Sequence, residues 1–591
     1  MRIAVINKEK CIAPNECNYL CRHVCPVARS GNKDIIITGD DEKPIISEKL
    51  CIGCGICVKK CPVDAISIVN LPDELEKDMF HKYSQNGFHL FRTITPTFGN
   101  VVGVLGQNGV GKTTIFSILS GILRPNLGRP GETPSDKEII NFFKGSEAQK
   151  YFEKLFSKEL KISFKPQYVD AIPKRYSGTV KELLEKVCDK KDEFDVLISK
   201  LGLNHILDRD LKNISGGELQ RVAIAAAMLK DANVYFFDEP SSYLDIKQRL
   251  NVAKLISSMS NENTSVNVVE HDLIVLDYLS DLIHIIYGKS GVYGIVTHPM
   301  SAKNGINTFL GGYLKDSNVR FRDYALEFEV KPPTTAKSDL LLTSWTNISK
   351  KMGDFSIDVS EGEVYVGDII GCVGENGIGK TTFAKILAGE LKPDKGKLSK
   401  EIKISYKPQY IESEIDMTVE EVLSKVAGNI YRDEYRIEII NPLQLRDLLK
   451  HKINSLSGGE LQRVAIALCL SREADMYLLD EPSAYLDVEQ RLRLAKIIRN
   501  IVKKKEASAF VIDHDLLFID YISDKLVVFH GEPAKRGETL GPVDMRTGMN
   551  HFLNGLGITM RRDGQTNRPR INKEGSVKDR EQKEKGEFYY A

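Results

Sequence analysis

Apolar residues in this chain come in short uncharged runs, and several of them end on the same chemistry. Residues 101–105 (VVGVL) run into GQNGVGKTT, and residues 369–373 (IIGCV) run into GENGIGKTT. Short continuous apolar runs bounded by turn signals predict buried strands of a parallel sheet. Two further runs end on a pair of acids, at residues 234–239 (VYFFDE) and 476–481 (MYLLDE). Helical spacing replaces this pattern at Ile139, Ile140, Phe142 and Phe143, and again at Tyr151, Phe152, Leu155 and Phe156, which predicts two short amphipathic helices. Cys188, Cys372 and Cys469 fall inside apolar patterns and are expected to be buried structural thiols. No uncharged apolar run approaches the ~18 residues of a membrane helix; the longest candidates, such as residues 222–229, are far shorter. The start, MRIAVINKEK, has no apolar signal core. A soluble cytoplasmic protein is expected.

The chain contains itself twice. GQNGVGKTT (106–114) recurs as GENGIGKTT (374–382), FKPQYV around Gln167 as YKPQYI around Gln409, and ISGGELQRVAIA around Ser215 as LSGGELQRVAIA around Ser457. FFDEPSSYLD ending at Asp245 recurs as LLDEPSAYLD ending at Asp487, and EHDL at His271 as DHDL at His514. From the glutamines onward the copies lie 242 or 243 residues apart, but Lys112 and Lys380 lie 268 apart, so the first copy carries an insertion of about 26 residues between the lysine and Gln167. It falls at about residues 129–161, where the two amphipathic helices are expected. With 591 residues, 42% of them apolar, the chain has room for several cores. Lys plus Arg (82) balances Asp plus Glu (81), which argues against a general coat for polyanions.

Eight of the eleven cysteines lie in the first 61 residues. Cys51, Cys54, Cys57 and Cys61, followed by Pro62, have the C-x2-C-x2-C-x3-C-P spacing of a bacterial ferredoxin run. Cys11, Cys17, Cys21 and Cys25, followed by Pro26, form a wider run. In two-cluster ferredoxins the fourth cysteine of each run serves the other cluster. By that rule Cys51, Cys54, Cys57 and Cys25 hold one 4Fe–4S cluster and Cys11, Cys17, Cys21 and Cys61 the other. Zinc sites and disulfides are the competing readings; disulfides fit a signal-free chain poorly, and zinc rarely uses this ladder. His23, among the ligands, is expected to be a surface or packing residue.

Each copy reads as a phosphate machine. Gly106, Gln107, Asn108, Gly109, Val110 and Gly111 precede Lys112, Thr113 and Thr114; Gly374, Glu375, Asn376, Gly377, Ile378 and Gly379 precede Lys380, Thr381 and Thr382. Such a loop opens a helix and turns backbone N–H groups toward phosphates, with the lysine adding charge and the first threonine a hydroxyl for Mg²⁺. Asp238 and Asp480 are placed to hold the Mg²⁺ shell, and Glu239 and Glu481 to orient or deprotonate the attacking water. An aromatic upstream of the loop usually stacks on the base. Tyr83 or Phe88 in the first copy and Phe355 in the second are candidates, a plain core role being the alternative.

SGGELQR upstream of DEP-x3-LD resembles the signature of the ATP-binding cassette family. The resemblance covers nearly all of the chain beyond about residue 75 and implies an α/β fold of two tandem P-loop nucleotide-binding domains behind a ferredoxin-like α+β domain. It also implies two head-to-tail composite sites that hydrolyse ATP. In one, Lys112, Gln167, Asp238, Glu239 and His271 would face Ser457, Gly458, Gly459 and Glu460; in the other, Lys380, Gln409, Asp480, Glu481 and His514 would face Ser215, Gly216, Gly217 and Glu218. Gln167 and Gln409 would join the Mg²⁺ shell, His271 and His514 act as switches, and Asp245 and Asp487 close the D-loops.

Three function classes compete: a transporter's energising subunit, an ATP-gated iron–sulfur electron-transfer protein, and a soluble mechanical ATPase. Two ferredoxin-type runs, tandem cassettes, the insertion in the first and no membrane segment resemble subfamily E, the ribosome-recycling family also called ribonuclease L inhibitors. Residues 293–314 and 541–559, which echo each other through GINTFLGG and GMNHFLNG, look like that family's hinges. The expected divisions are 1–72 for the cluster domain, 73–290 for the first cassette with its helix–loop–helix at about 129–161, 291–330 for hinge 1, 331–339 for a linker, 340–540 for the second cassette, and 541–591 for hinge 2 and the tail. The resemblance implies a monomer whose cassettes pair within the chain and which splits ribosomes and stays on the small subunit. Implied partners are rRNA and proteins of that subunit, a release factor or its stalled-ribosome counterpart, and initiation factors. The segment from Arg561, with nine basic and six acidic residues, reads either as an rRNA contact through Arg561, Arg562, Arg568 and Arg570 or as a solvated tail.

Overall fold

The computed structural model describes residues 2–328, 340–399, 401–409 and 415–589, and the linker expected at 331–339 lies outside them. The N-terminal unit is small. Arg2–Ile6 pairs antiparallel with Ile66–Asn70, and Ile36–Thr38 with Pro44–Ile46. The short helices Leu20–Val24 and Ile56–Lys60 carry cysteines from the two runs onto one core, where Cys21, Cys51 and Cys57 are buried beside Ile6, Ile35 and Ile46.

Each repeat builds a mixed sheet around a parallel centre. In cassette 1 the strands Leu282–Lys289, Val101–Gly106, Ser265–Val269, Val234–Asp238 and Ile162–Lys165 lie side by side and parallel. Antiparallel strands Met79–Lys82 and His89–Phe91 join through Tyr293–Val296 at one edge. Cassette 2 repeats the order with Lys525–Glu532, Ile369–Val373, Ser508–Ile512, Met476–Asp480 and Ile404–Lys407. Every residue of Val234–Asp238 and of Met476–Asp480 is buried. Covered on both faces, such strands have no solvent side, which is why the sequence reads as unbroken apolar runs.

Two boundaries move. Tyr293–Val296 and Arg536–Asp544 are strands of the cassette sheets, so the hinge arms begin at the helices Ala302–Gly311 and Met545–Leu556 rather than at residues 291 and 541. The insertion folds as expected, into Asp136–Phe142 and Glu147–Phe156. Its aromatics turn inward: Phe143 packs on Phe80 and Phe152, and the Tyr151 hydroxyl donates to the Leu119 carbonyl. Among the expected buried thiols, Cys372 and Cys469 are buried, whereas Cys188 ends a helix half-exposed; His23 is exposed.

The hinge arms cross. Hinge 1 leaves cassette 1 and grips cassette 2 through Arg322 and Glu489. Hinge 2 leaves cassette 2 and grips cassette 1, where Asp277 accepts from both Arg568 and Arg570. Much of the tail is exposed, but three of its four clustered arginines are engaged within the chain. Arg562 is held by Asp520, Arg568 is fully buried, and Arg570 also pairs with Asp563. One apolar core runs through this joint, from Ile246, Leu250 and Ile274 to Leu516, Leu517 and Ile571.

Candidate nucleotide sites

The two phosphate loops are already formed. Lys112 Nζ donates back to the carbonyls of Gly106 and Gln107 at 2.9 and 2.8 Å, and Lys380 Nζ to those of Gly374 and Glu375 at 2.9 and 2.7 Å. Both lysines are buried, and burial lowers their pKa. Gly111 and Gly379 stand at φ +96° and +102°, and a Cβ there would lie 2.9 Å from the Phe88 ring and 2.7 Å from Ile357, 3.0 Å from the Phe355 ring. The helices Lys112–Leu119 and Lys380–Leu387 start from these glycines, so their free N–H groups face the loop. A helix N-terminus stabilises an anion by about 0.3–1 kcal/mol, up to about 2 when partly buried. Phe88 and Phe355 therefore occupy equivalent places under the loops. Exposed Tyr83 hydrogen-bonds through its hydroxyl to Thr114 at 3.0 Å.

Beyond each loop the acids stand in order. Thr113 Oγ1 donates to Asp238 Oδ2 at 2.7 Å and Thr381 Oγ1 to Asp480 Oδ2 at 2.8 Å. The other carboxylate oxygens, Asp238 Oδ1 and Asp480 Oδ1, are buried without a hydrogen-bond partner. An unpaired carboxylate oxygen beside a hydroxyl is the donor set of a hard divalent cation, so these residues fit Mg²⁺. Burial and the neighbouring glutamate push each aspartate up to about 6, with the threonine bond opposing. Glu239 and Glu481 have φ of +48°, a conformation that costs a non-glycine residue about 1–3 kcal/mol and that clusters at functional sites. Gln167 Nε2 and Gln409 Nε2 each donate to the glutamate Oε1 at 2.7 Å. His271 and His514 lie 3.4 and 3.5 Å from the same oxygens. Burial works to raise the glutamates, but the histidines and the buried lysines outweigh it and hold both at about 2.

Several supporting residues escaped the reading of the sequence. Lys165 and Lys407, buried in the repeated K-P-Q, donate to the carbonyls of the Asp–Glu pairs, Lys165 at 2.9 and 3.1 Å. Gln220 and Gln462, on the signature helices, donate to the Glu239 and Glu481 carbonyls at 2.8 and 2.7 Å. Glu270 and Asp513 hold the N–H groups of the histidine turns. The repetition of K-P-Q, of G-E-L-Q-R and of an acid before H-D was the available signal.

The cassettes meet head to tail. The Asn108 N–H donates to Asp487 Oδ2 at 3.2 Å, and the Asn376 N–H to Asp245 Oδ2 at 2.9 Å, so each D-loop aspartate touches the other cassette's phosphate loop. Both aspartates also cap their own helices, Ile246–Ser258 and Val488–Lys504. Tyr243 and Tyr485, hydrogen-bonded to each other at 3.3 Å, pack on the glycines of their own signatures, Gly216 and Gly217, Gly458 and Gly459. Ser215 and Ser457 cap the signature helices in reciprocal boxes with Glu218 and Glu460. Ser215, Gly216, Ser457 and Gly458 are exposed, whereas the D-loop aspartates touch the opposite phosphate loops.

In the N-terminal unit, burial and the charges of Cys17, Cys11 and Cys61 push Cys21 up to about 11, and burial with Cys51, Cys21 and Cys54 pushes Cys57 up to about 12. Cys25 packs on the same core. All eight are free thiols, and among the described residues no three metal-binding side chains are drawn to ligating distance. Converging thiols of soft character on a small closed core fit an iron–sulfur group. This unit is bolted to cassette 1. The buried Asn86 side chain donates to the carbonyls of Ala4 and Ile46 and accepts from the Ile46 N–H, and Glu48 pairs with Lys82 at 2.8 Å and His89 at 3.2 Å.

Among known families, the ABC transporter model matches residues 93–242 and 357–484, and the 4Fe-4S binding domain model matches residues 44–67. An uncharacterised ABC transporter ATP-binding protein of Methanocaldococcus jannaschii is 55% identical over the whole chain and 98% of its own length. Translation initiation factor RLI1 of Saccharomyces cerevisiae is 46% identical over the whole chain and 98% of its own. Among solved structures, an archaeal ABCE1, described as a model of ribosome-bound Pelota and ABCE1, has a TM-score of 0.93 at 52% identity, covering 100% of this chain and 99% of that one. Twin cassettes with paired phosphate loops, a 4Fe-4S domain ahead of them and full-length similarity lead to one conclusion: this chain belongs to subfamily E of the ATP-binding cassette proteins, the family of ABCE1 and RLI1.

Proposed function

We propose that this ATPase splits ribosomes into subunits by nucleotide-driven closure of its two composite sites and stays on the small subunit afterwards. The observation that carries the reading is the reciprocal contact of Asn108 with Asp487 and Asn376 with Asp245. Each phosphate loop is thereby half of a site whose other half belongs to the opposite cassette. The ribosome enters through similarity: ABCE1 is described as ribosome-bound with Pelota, and RLI1 as a translation initiation factor. Partners of that kind, and work in the cytoplasm, are proposed here too. Among the described residues no helix is long and apolar enough to cross a membrane.

The mechanism follows from the side chains. The phosphate-loop N–H groups and Lys112 or Lys380 grip the phosphates, the lysine releasing the carbonyls it now holds. Thr113 and Asp238, or Thr381 and Asp480, with Gln167 or Gln409 close by, would hold Mg²⁺, which would supply charge neutralisation on the phosphates. Glu239 and Glu481, kept ionised, orient the attacking water and take its proton, while His271 and His514 face the terminal phosphate. The serine-capped signature helices seal the sites when the jaws shut. Moving a two-state clamp from 1:99 to 99:1 takes about 5.5 kcal/mol of differential binding, a demand that two buried nucleotides can meet. The cluster domain, with Cys11, Cys17, Cys21 and Cys61 on one 4Fe–4S cluster and Cys25, Cys51, Cys54 and Cys57 on the other, serves as a rigid lever. The insertion helices and hinges contact the small subunit through their polar faces, the aromatics being used inside.

Sucrose-gradient sedimentation of ribosomes with the protein, ATP and a release factor tests the reading. Free subunits should appear with ATP and not with the Glu239→Gln, Glu481→Gln double variant, which should instead be trapped on small subunits. Intact ribosomes throughout would defeat it. Iron counting on anaerobic protein should give about eight irons per chain; about four would leave one cluster.

A further inference from the structure

The two composite sites differ at a pair of equivalent positions that meet across the joint. The residue after the first glycine of the phosphate loop is Gln107 in cassette 1 and Glu375 in cassette 2, and the residue two beyond the D-loop aspartate is Glu489 in cassette 2 and Lys247 in cassette 1. At the second site Lys247 and Glu375 form a plain ion pair of 3.0 Å, their side chains 59% and 32% exposed. Such a pair is screened and weak. At the first site Gln107 Nε2 donates to Glu489 Oε2 at 2.7 Å, and Glu489 is 5% exposed.

Glu489 is the centre of a buried knot. Its Oε2 also accepts from Arg322 Nε at 3.1 Å, and its Oε1 accepts from the Tyr324 hydroxyl and from Arg493. Arg322, 7% exposed, donates further to the Leu310 carbonyl of the hinge helix at 3.1 Å and lies over the Phe309 ring at 5.0 Å. Thus Gln107, Glu489 and Arg322 form an unbroken chain from the phosphate loop of cassette 1 to hinge 1. The second site has no counterpart among the described contacts, because hinge 2 spends Arg568 and Arg570 on Asp277 instead.

We propose that Glu489 is a positioning residue that ties the phosphate loop of the first composite site to hinge 1, so that nucleotide leaves this site only as the hinge moves, while the second site opens against a solvent-exposed pair. The proposal rests on the two-site reading above. A buried network of charge-assisted bonds lets go as a unit, whereas an exposed pair exchanges freely with water.

The test is dissociation of a fluorescent ATP analogue from the full-length protein, with Lys380→Ala isolating the first site and Lys112→Ala the second. Glu489→Gln should speed release from the first site about tenfold, equivalent to about 1.4 kcal/mol, and shift the second by less than about twofold. Gln107→Ala cuts the chain at its other end without stranding a buried charge, and should act in the same direction should Glu489→Gln fold poorly. Equal acceleration at both sites, or no acceleration in either single variant, would overturn the proposal. Continued turnover in the Glu239→Gln, Glu481→Gln protein would instead overturn the two-site reading and leave the linkage to be judged on release alone.

Discussion

Each candidate catalytic glutamate is held by opposing forces that the sequence leaves unranked. Burial favours the neutral acid, but His271 with Lys112 and Lys165 at Glu239, and His514 with Gln409 and Lys380 at Glu481, override it and hold both carboxyls at about 2. Replacing both by glutamine keeps the bulk and the bond to Gln167 or Gln409 but removes the base. Phosphate release should fall roughly 10²–10⁴-fold while nucleotide stays bound; unchanged turnover would show that these acids have another task. Asp277 makes the opposite case, a residue with no motif that closes a buried account of charge: Arg568 and Arg570 both depend on it. Asp277→Ala should destabilise the joint between cassette 1 and hinge 2 by about 3–5 kcal/mol, the toll of leaving buried cations unpaired. Differential scanning calorimetry should register a lower first transition; an unmoved trace would mean that water reaches these arginines.

At the level of elements, the hairpin of Met79–Lys82 and His89–Phe91 has two employers. Its tip, Asn86, is buried in the cluster domain, while Phe88 lies under the phosphate loop. Asn86→Ala leaves the Ala4 and Ile46 backbone groups without partners, and an unsatisfied buried group costs about 1–3 kcal/mol. Limited proteolysis should then release the cluster domain faster while ATP turnover persists; equal proteolysis would refute the anchoring role. In hinge 2, burial works to raise the Asp563 pKa, but the N–H groups of Gln565 and Thr566 with Asn307 and Lys303 bring it down to about 2. A depressed carboxylate stabilises the fold fully above its unfolded pKa and loses that contribution as pH falls through its folded one. The gap in melting temperature between the native chain and Asp563→Asn should therefore hold steady down to about pH 4 and close between there and about pH 2. A gap that closes near neutral pH would contradict this assignment.

For the molecule as a whole, the structure is a clamp at rest: D-loops in contact, signatures exposed, hinge arms crossed onto opposite cassettes. Deleting residues 1–70 removes the lever and leaves the clamp, so ATP turnover should survive and subunit splitting should vanish; splitting by the truncated chain would dismiss the lever. Much of this was legible in the residues alone. The strands, the phosphate loops, the acids at 238–239 and 480–481, the serine caps and the cysteine runs are each set by neighbours within a few positions, and local sterics and hydrogen bonding write them directly into the chain. The inward turn of Phe143 and Phe152, the capture of Arg562, Arg568 and Arg570 by aspartates, and the start of the hinges beyond Tyr293–Val296 and Arg536–Asp544 were not legible. Nor was the knot at Glu489, which joins Gln107 to Arg322 across some 382 and 167 residues of chain. Such pairings depend on how finished sheets and helices pack against one another. Only when burial has removed water do a glutamine, a glutamate and an arginine so far apart become partners.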